Sequence, residues 1–444
     1  MADAPQPILS LGDEFHDRVA AAAFPQAILR FRNDRAAHEV GLDGLDDDAW
    51  IAHFGRFAPL PGNLPEPLAL RYHGHQFRVY NPEIGDGRGF LFAQLRGRDG
   101  RLLDLGTKGS GRTPWSRFGD GRLTLKGGVR EVLATEMLEA LGVETSRSFS
   151  LIETGEALER HDEPSPTRAS VLVRLSHGHI RIGTFQRLAY LRDAEAMARL
   201  VDYVLVELHG QPPGDPVRLL DNVVARAARL AAGYMAAGFV HGVLNSDNIN
   251  VTGESFDYGP WRFAPTWDPG FVAAYFDHAG LYAFGRQPEA IHWDVMQLAV
   301  SLRLLADAEP MIAVLDTFAE RYQRAIADAF LWRLGVRPRD DAGDRALVQA
   351  VERGLRAGEM GIDCFFFDAF GGRIPDGAPF AEARAAAARY VARKPRDDDY
   401  WRGDPCTMSI DAVETIWAAI DADDDWSPFT AKIGDIRRMG DALR

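Results

Sequence analysis

The spacing of apolar residues changes character along the chain. Between residues 90 and 175 the apolar runs are short and bounded by turn residues, so 90–95, 102–108 and 169–175 read as strands. A single helical stripe interrupts them. Over residues 126–141, Val129, Val132, Leu133, Met137 and Leu141 fall on one face, and Gly142 supplies the stop. From about Asp193 the helical period takes over, predicting helices near 193–208, 217–237, 288–306 and 310–334, with capping helices at 410–422 and 428–443. Before residue 70 the pattern is weaker. Pieces at 14–23 and 46–57 look helical and 59–67 is proline-rich, so residues 1–70 read as an extension packed on the next lobe, with no chemistry assigned. Residues 155–168 look like an exposed insertion and 340–344 like an acidic linker. No internal repeat or sustained heptad is present. The expected class is α+β, a β-rich half followed by a helical half.

Composition adds limits. A chain of 444 residues exceeds one small core, so two or three lobes are expected. Two cysteines, Cys364 and Cys406, exclude a disulfide-dense scaffold and a Cys-rich zinc module. The first residues carry Asp3 and Glu14 with no apolar core between, so no secretory signal is expected. No run of about 18 apolar residues suggests a membrane span. The expectation is a soluble, cytoplasmic protein that is not membrane-bound. A net charge of −14 argues against a nucleic-acid binder. Against that average, residues 86–131 carry ten Lys/Arg and five Asp/Glu, a local positive surplus interleaved with glycine. That island suggests a focused anion site.

The chemistry concentrates in His241-Gly-Val-Leu-Asn-Ser-Asp-Asn248 and Asp257-Tyr-Gly259. Asn plus Asp offers hard oxygen ligands suited to Mg²⁺ carrying phosphates, and a neighbouring Asp can accept a proton from a hydroxyl. Upstream, Gly85, Gly87 and Gly89 alternate around Asp86 and Arg88, a pattern that fits a phosphate cradle or a hairpin turn. Residues 106–113 have P-loop spacing, but Arg112 stands where Lys is required, and Pro114 follows in place of a helix. That reading fails. Lys108 at the end of a strand and Glu131 on the following helix have the order of a phosphate-binding lysine and its orienting glutamate; an incidental surface pair is an equal alternative. Arg174 and Arg181 flank a glycine-bearing turn and suit bidentate phosphate contacts. His73 and His75 are spaced like a metal pair but read as structural.

Glycines, lysine and Glu-helix followed by an Asp/Asn loop and Asp-Tyr-Gly is a kinase-like order. The loop departs from it, since Val243 stands two after His241, where a kinase carries its base. The motifs Gly74-His-Gln-Phe77, Lys108-Gly-Ser-Gly-Arg-Thr-Pro114, Ser116-Arg-Phe-Gly-Asp-Gly-Arg122, His179-Ile-Arg-Ile-Gly-Thr-Phe185 and Gly238-Phe-Val-His-Gly-Val-Leu-Asn-Ser-Asp-Asn248 resemble the selenoprotein O family of kinase-fold protein adenylyltransferases. The resemblance spans about residues 70 to 300. Arg78 stands where the family usually has Gly, Gly127-Gly128 replaces a serine pair, and the chain ends without the C-terminal Cys or selenocysteine motif seen in some members.

This resemblance implies a protein-kinase-like bilobal α+β fold. Residues 1–70 form the extension, 71–185 a β-rich N-lobe with the Glu-bearing helix, and 186–444 a mainly helical C-lobe. It implies transfer of AMP from ATP to Ser, Thr or Tyr hydroxyls of proteins, with the nucleotide flipped relative to kinases. Gly85, Gly87, Arg88, Lys108, Asp120, Gly121, Arg174, Arg181 and Asp257 would contact nucleotide. Asn248 and Asp257 would hold Mg²⁺ or Mn²⁺, Asp247 would accept the proton, and Glu131 would orient Lys108. The alternatives are a kinase-fold phosphotransferase and a non-catalytic, ATP-binding pseudokinase scaffold.

Overall fold

Leucine at three of the seven positions of Leu102–Lys108 leaves neither face of that strand to water, and all seven residues are buried. The strand runs through the middle of an eight-stranded antiparallel sheet. In this computed structural model, residues 6–161 and 163–444 are described; Asp3 and position 162 of the 155–168 stretch lie outside them. The strands in chain order are β1 (His16–Arg18), β2 (Ile28–Arg32), β3 (Leu68–Leu70), β4 (Gly74–Gln76), β5 (Val79–Asn81), β6 (Leu91–Arg96), β7 (Leu102–Lys108), β8 (Leu123–Thr124), β9 (Arg147–Leu158) and β10 (Thr167–Ser176). The sheet order is β1-β3-β6-β7-β10-β9-β2, with β8 paired to β10, while β4 and β5 form a separate hairpin.

Three strands from the stretch read as an extension, β1, β2 and β3, are therefore part of the sheet, and β1 and β2 form its two edges. The helix expected at 14–23 is absent. A single 3-10 turn at Asp13–Phe15 leads into β1, which pairs with β3 so that His16 lies opposite Leu70. The alanines beyond it lie outside any helix or strand, and the Ala22 amide donates to the Ser110 carbonyl. Tertiary pairing outweighs the helix propensity of an alanine run. The stretch at 155–168 is also partly strand, since β9 and β10 extend over part of it as a long hairpin.

Alternation along β10, together with a bulge in β9 at Phe149 that reverses its facing, divides two cores. Leu151 and Leu172 face α3 (Leu125–Ala140), which follows α1 (Asp34–Glu39) and α2 (Asp47–Phe54) in the chain. Phe149, Val171 and Val173 face α2, where Trp50 stacks on Phe149 at 4.8 Å and Phe54 meets both edge-on. The Thr124 hydroxyl caps α3 by accepting from the Gly127 amide.

The second half is helical. It comprises α4 (Ile182–Leu191), α5 (Ala194–Tyr203), α6 (Pro216–Ala237), α7 (Gln287–Leu302), α8 (Ala308–Leu315), α9 (Phe318–Arg333), α10 (Asp341–Ala357), α11 (Ile362–Ala369), α12 (Ala381–Ala387), α13 (Ile410–Asp423) and α14 (Ser427–Leu443). The 22-residue α6 packs against α7 and α9. Two short strands, β11 (Phe239–Val240) and β12 (Arg262–Phe263), pair and close off the polar loop 241–261. The helix expected at 310–334 divides in two at Thr317, whose hydroxyl donates to the Val314 carbonyl. The expected acidic linker at 340–344 is the start of α10. Asp340 accepts from the Gly343 amide at 2.8 Å, and Asp341 and Asp344 occupy the first turn, where negative charge is favoured. The last helix returns to the first half, where Arg437 of α14 pairs with Glu136 of α3 at 2.7 Å. Among the described residues, no helix is long and apolar enough to cross a membrane.

Replacing the fully buried Phe149 with alanine should destabilise the fold by about 3–5 kcal/mol. Phe118→Ala, at a fully exposed ring, should stay within about 0.5 kcal/mol. Paired denaturant titrations read both, and equal losses would contradict the core described.

Candidate functional site

Four elements converge on one carboxylate. Lys108 ends β7 opposite Leu172 of β10, and Arg174 lies two residues further along β10. Glu131 projects from the second turn of α3, and Arg181 is the N-cap residue of α4. All four side chains are buried. Lys108 Nζ donates to Glu131 Oε2 at 2.7 Å and lies 3.3 Å from Asp257 Oδ1. Arg174 Nη1 reaches the same Asp257 oxygen at 2.5 Å, and Arg181 Nη1 pairs with the other. Arg181 also donates to the Asp247 carbonyl at 2.9 Å and to Asp86 at 3.3 Å. Tyr72 and Phe256 sandwich its guanidinium at 4.4 and 4.7 Å.

Burial alone would raise the Asp257 carboxyl, but Arg174, Arg181 and Lys108 together hold it well below the usual range. Burial pulls Lys108 downward, against the opposing pull of Glu131 and Asp257. Asp257 takes a backbone φ of +60°, a left-handed conformation that aspartate tolerates better than most residues and that marks functional sites.

The polar loop is fixed from two sides. His241 Nε2 donates to the Phe256 carbonyl, so its Nδ1 is left to accept from the Val243 amide. Asn248 Nδ2 donates to the Val243 carbonyl at 3.0 Å, which orients the amide. The β4–β5 hairpin lies on the other side. There the His75 amide donates to Ser246 Oγ at 2.7 Å and the Phe77 amide to Asn245 Oδ1 at 3.0 Å. Gly74 permits this approach, because a Cβ there would stand 2.7 Å from Asp247 Oδ1. His73 and His75 are taken by Tyr80 and Gln186, in keeping with a structural role. Asp247 is buried, and its Oδ1 has no hydrogen-bond partner. Burial raises its pKa to about 6, with Arg181 pulling the other way.

These side chains line one cavity of about 850 Å³. Gly85, Gly87, Arg88, Lys108, Asp120, Gly121, Arg174, Arg181, Asp247, Asn248 and Asp257 all face it, so it gathers every expected nucleotide, metal and proton-accepting residue. Glu131 supports Lys108 from behind. Several lining residues escaped sequence reading. Asp86 tethers Arg181, and its position between Gly85 and Gly87 was the available signal. Trp115 fills the space that Cβ atoms on Gly85 and Gly87 would need, so these glycines admit the 113–121 loop. Arg160, from the stretch read as an insertion, pairs with Asp120 at 2.8 Å. No local pattern announced it. Among the described residues, no cluster of three or more His, Cys, Asp or Glu side chains forms a metal cage. The oxygens of Asn248 and Asp257 in a cavity rich in arginine instead suit a cation that arrives with phosphates.

The chain matches the family model described as protein adenylyltransferase SelO over residues 3–371. It is 46% identical to the protein nucleotidyltransferase YdiU of Gloeobacter violaceus, covering 97% of this chain and 94% of that protein. To the protein of the same name from Synechocystis sp. it is 44% identical, covering 95% and 94%. To the one from Azotobacter vinelandii it is 36% identical, covering 80% and 73%. The similarity thus runs well past residues 70–300, where motifs were legible, and into the C-terminal third. The chain belongs to the SelO family of protein adenylyltransferases.

Proposed function

We propose that this protein transfers AMP from ATP to Ser, Thr or Tyr hydroxyls of other proteins, using a bilobal, kinase-like architecture with the cavity between a sheet lobe and a helical lobe. The observation that carries the reading is the pairing, in one cavity, of a cluster of buried cations with a buried carboxylate, Asp247, that has an unpartnered oxygen. Val243 offers no acid at the position of a kinase base.

In this reading Lys108, Arg174, Arg181 and Arg88 neutralise the β- and γ-phosphates, with Gly85, Gly87, Asp120, Gly121 and Asp257 completing the nucleotide contacts. The α-phosphate then lies toward Asp247. The substrate hydroxyl attacks the α-phosphorus, the bond to the β-phosphate oxygen breaks, and pyrophosphate leaves with the electron pair. Asp247 takes the hydroxyl proton. A raised pKa suits that work, since Brønsted behaviour favours a base titrating near the working pH. Glu131 keeps Lys108 aimed, so much of the rate comes from positioning and charge neutralisation. Asn248 and Asp257 would hold Mg²⁺ or Mn²⁺, whose charge supplies further neutralisation of the phosphates.

Incubation with α-labelled ATP should label protein, and γ-labelled ATP should not. Asp257→Asn, which keeps a hydrogen-bond acceptor for the arginines, should remove the signal. Label from the γ-position would favour a phosphotransferase, and ATP binding without turnover a scaffold. Asp247→Asn should lower kcat by about 10²–10⁴ while the KM for ATP moves less than about threefold; comparable loss of ATP affinity would contradict its role as proton acceptor. A chelator should abolish transfer, with Mg²⁺ or Mn²⁺ restoring it, and undiminished transfer after chelation would remove the metal from the reading.

A further inference from the structure

A second cavity, of about 290 Å³, adjoins the first. Arg88, Arg122 and Arg160 line both, and Arg130 lines the second alone. Thr124 and Gly127, at the N-terminus of α3, form part of its wall, so the positive end of that helix adds to the guanidinium charge. Arg122 is balanced by Glu156 at 2.9 Å and Arg160 by Asp120 at 2.8 Å. Arg130 is held differently. Its Nη2 donates to the Trp261 carbonyl at 3.0 Å and its guanidinium lies 4.7 Å over the Trp261 ring. Burial and the nearby Arg262 both weigh against its charge. Two carboxylates also line the cavity, Glu131, already tied to Lys108, and Glu163. A small, highly charged anion is the ligand that this wall suits.

Adenylyl transfer releases one. When the α–β bridging bond breaks, pyrophosphate must leave the cations that bound it as part of ATP before another turnover begins. We propose that the Arg130 cavity receives this pyrophosphate, a product-holding site beside the nucleotide contacts; the assignment rests on the AMP-transfer reading above. The route leads past Arg88, Arg122 and Arg160, which face both spaces.

The test uses the full chain and inorganic pyrophosphate, measured by equilibrium dialysis of the labelled anion and by its inhibition of AMP transfer. Arg130→Met should weaken pyrophosphate about tenfold, the scale of one lost charge-assisted contact. The KM for ATP should stay within about twofold, and Arg130→Lys should restore most of the affinity. Arg122→Gln, on another part of the wall, should weaken pyrophosphate in the same direction and guards against a folding defect in the Met variant. Unchanged pyrophosphate affinity in both charge-removing variants would overturn the proposal. So would a KM for ATP that rises in step with the pyrophosphate constant, because Arg130 would then belong to the ATP site. Pyrophosphate binding that depends on Arg130 in a protein that transfers no AMP would refute the transfer reading and leave the anion cavity standing.

Discussion

The structure depends on a buried ion cluster around Asp257. Taking Lys108, Arg174 and Arg181 out of water costs several kcal/mol per ion, and only close, well-oriented partners offset it. Asp257 supplies most of that compensation, with Glu131 on one side and Asp86 on the other. Each group comes from a different segment, so the cluster forms only when β7, β10, α3, the α4 N-terminus and the 241–261 loop are all in place. The same arrangement suits the phosphate contacts proposed for it. Its cations are buried beside carboxylates, where electrostatic interactions are stronger than in water. A phosphate-bound cation at Asp257 and phosphate oxygens at the arginines would preserve the balance of charge while exchanging its partners.

Around that cluster the fold restricts movement of the polar loop. Asn245 Oδ1 accepts from both the Phe77 amide and the Tyr282 hydroxyl, so the hairpin and the segment before α7 meet on one side chain. Ser246 donates to Gln186 of α4 while accepting from the His75 amide, and the Gln186 side chain in turn bonds the His75 ring. Loop, helix and hairpin are thereby tied in one closed network. Asp247 is left as the loop member with an uncommitted carboxylate oxygen, the buried Oδ1 that lies against Gly74. Such a scaffold would keep the proposed proton acceptor in place with little reorganisation.

Much of this was legible because the chemistry lies in short contiguous motifs. The strand bearing Lys108 and the helix bearing Glu131 were legible from an apolar run and a helical stripe, but their pairing stood level with an incidental surface pair until the fold buried both side chains. The Asp247–Asn248 and Asp257 pair was visible as a crowd of polar residues after a long apolar helix. Legibility failed where a distant partner decides the outcome. The 14–23 stretch has alanines that favour helix, yet β3 pairs with residues 16–18 and the Ser110 carbonyl takes the Ala22 amide. The aspartates at 340–344 looked like a linker because charge alone does not distinguish a solvated run from an N-cap and first turn. Arg160 and Trp115 enter the cavity from loops whose course no local pattern sets.

The central claim is that the α-phosphate of ATP, and not the γ-phosphate, faces Asp247. A structure of the protein with a non-hydrolysable ATP analogue and Mg²⁺ tests this directly. The account predicts the γ-phosphate against Lys108 and Arg174, with the α-phosphate beside Asp247 and the cation bound by Asn248 and Asp257. A γ-phosphate beside Asp247, with the adenosine directed away from it, would contradict it.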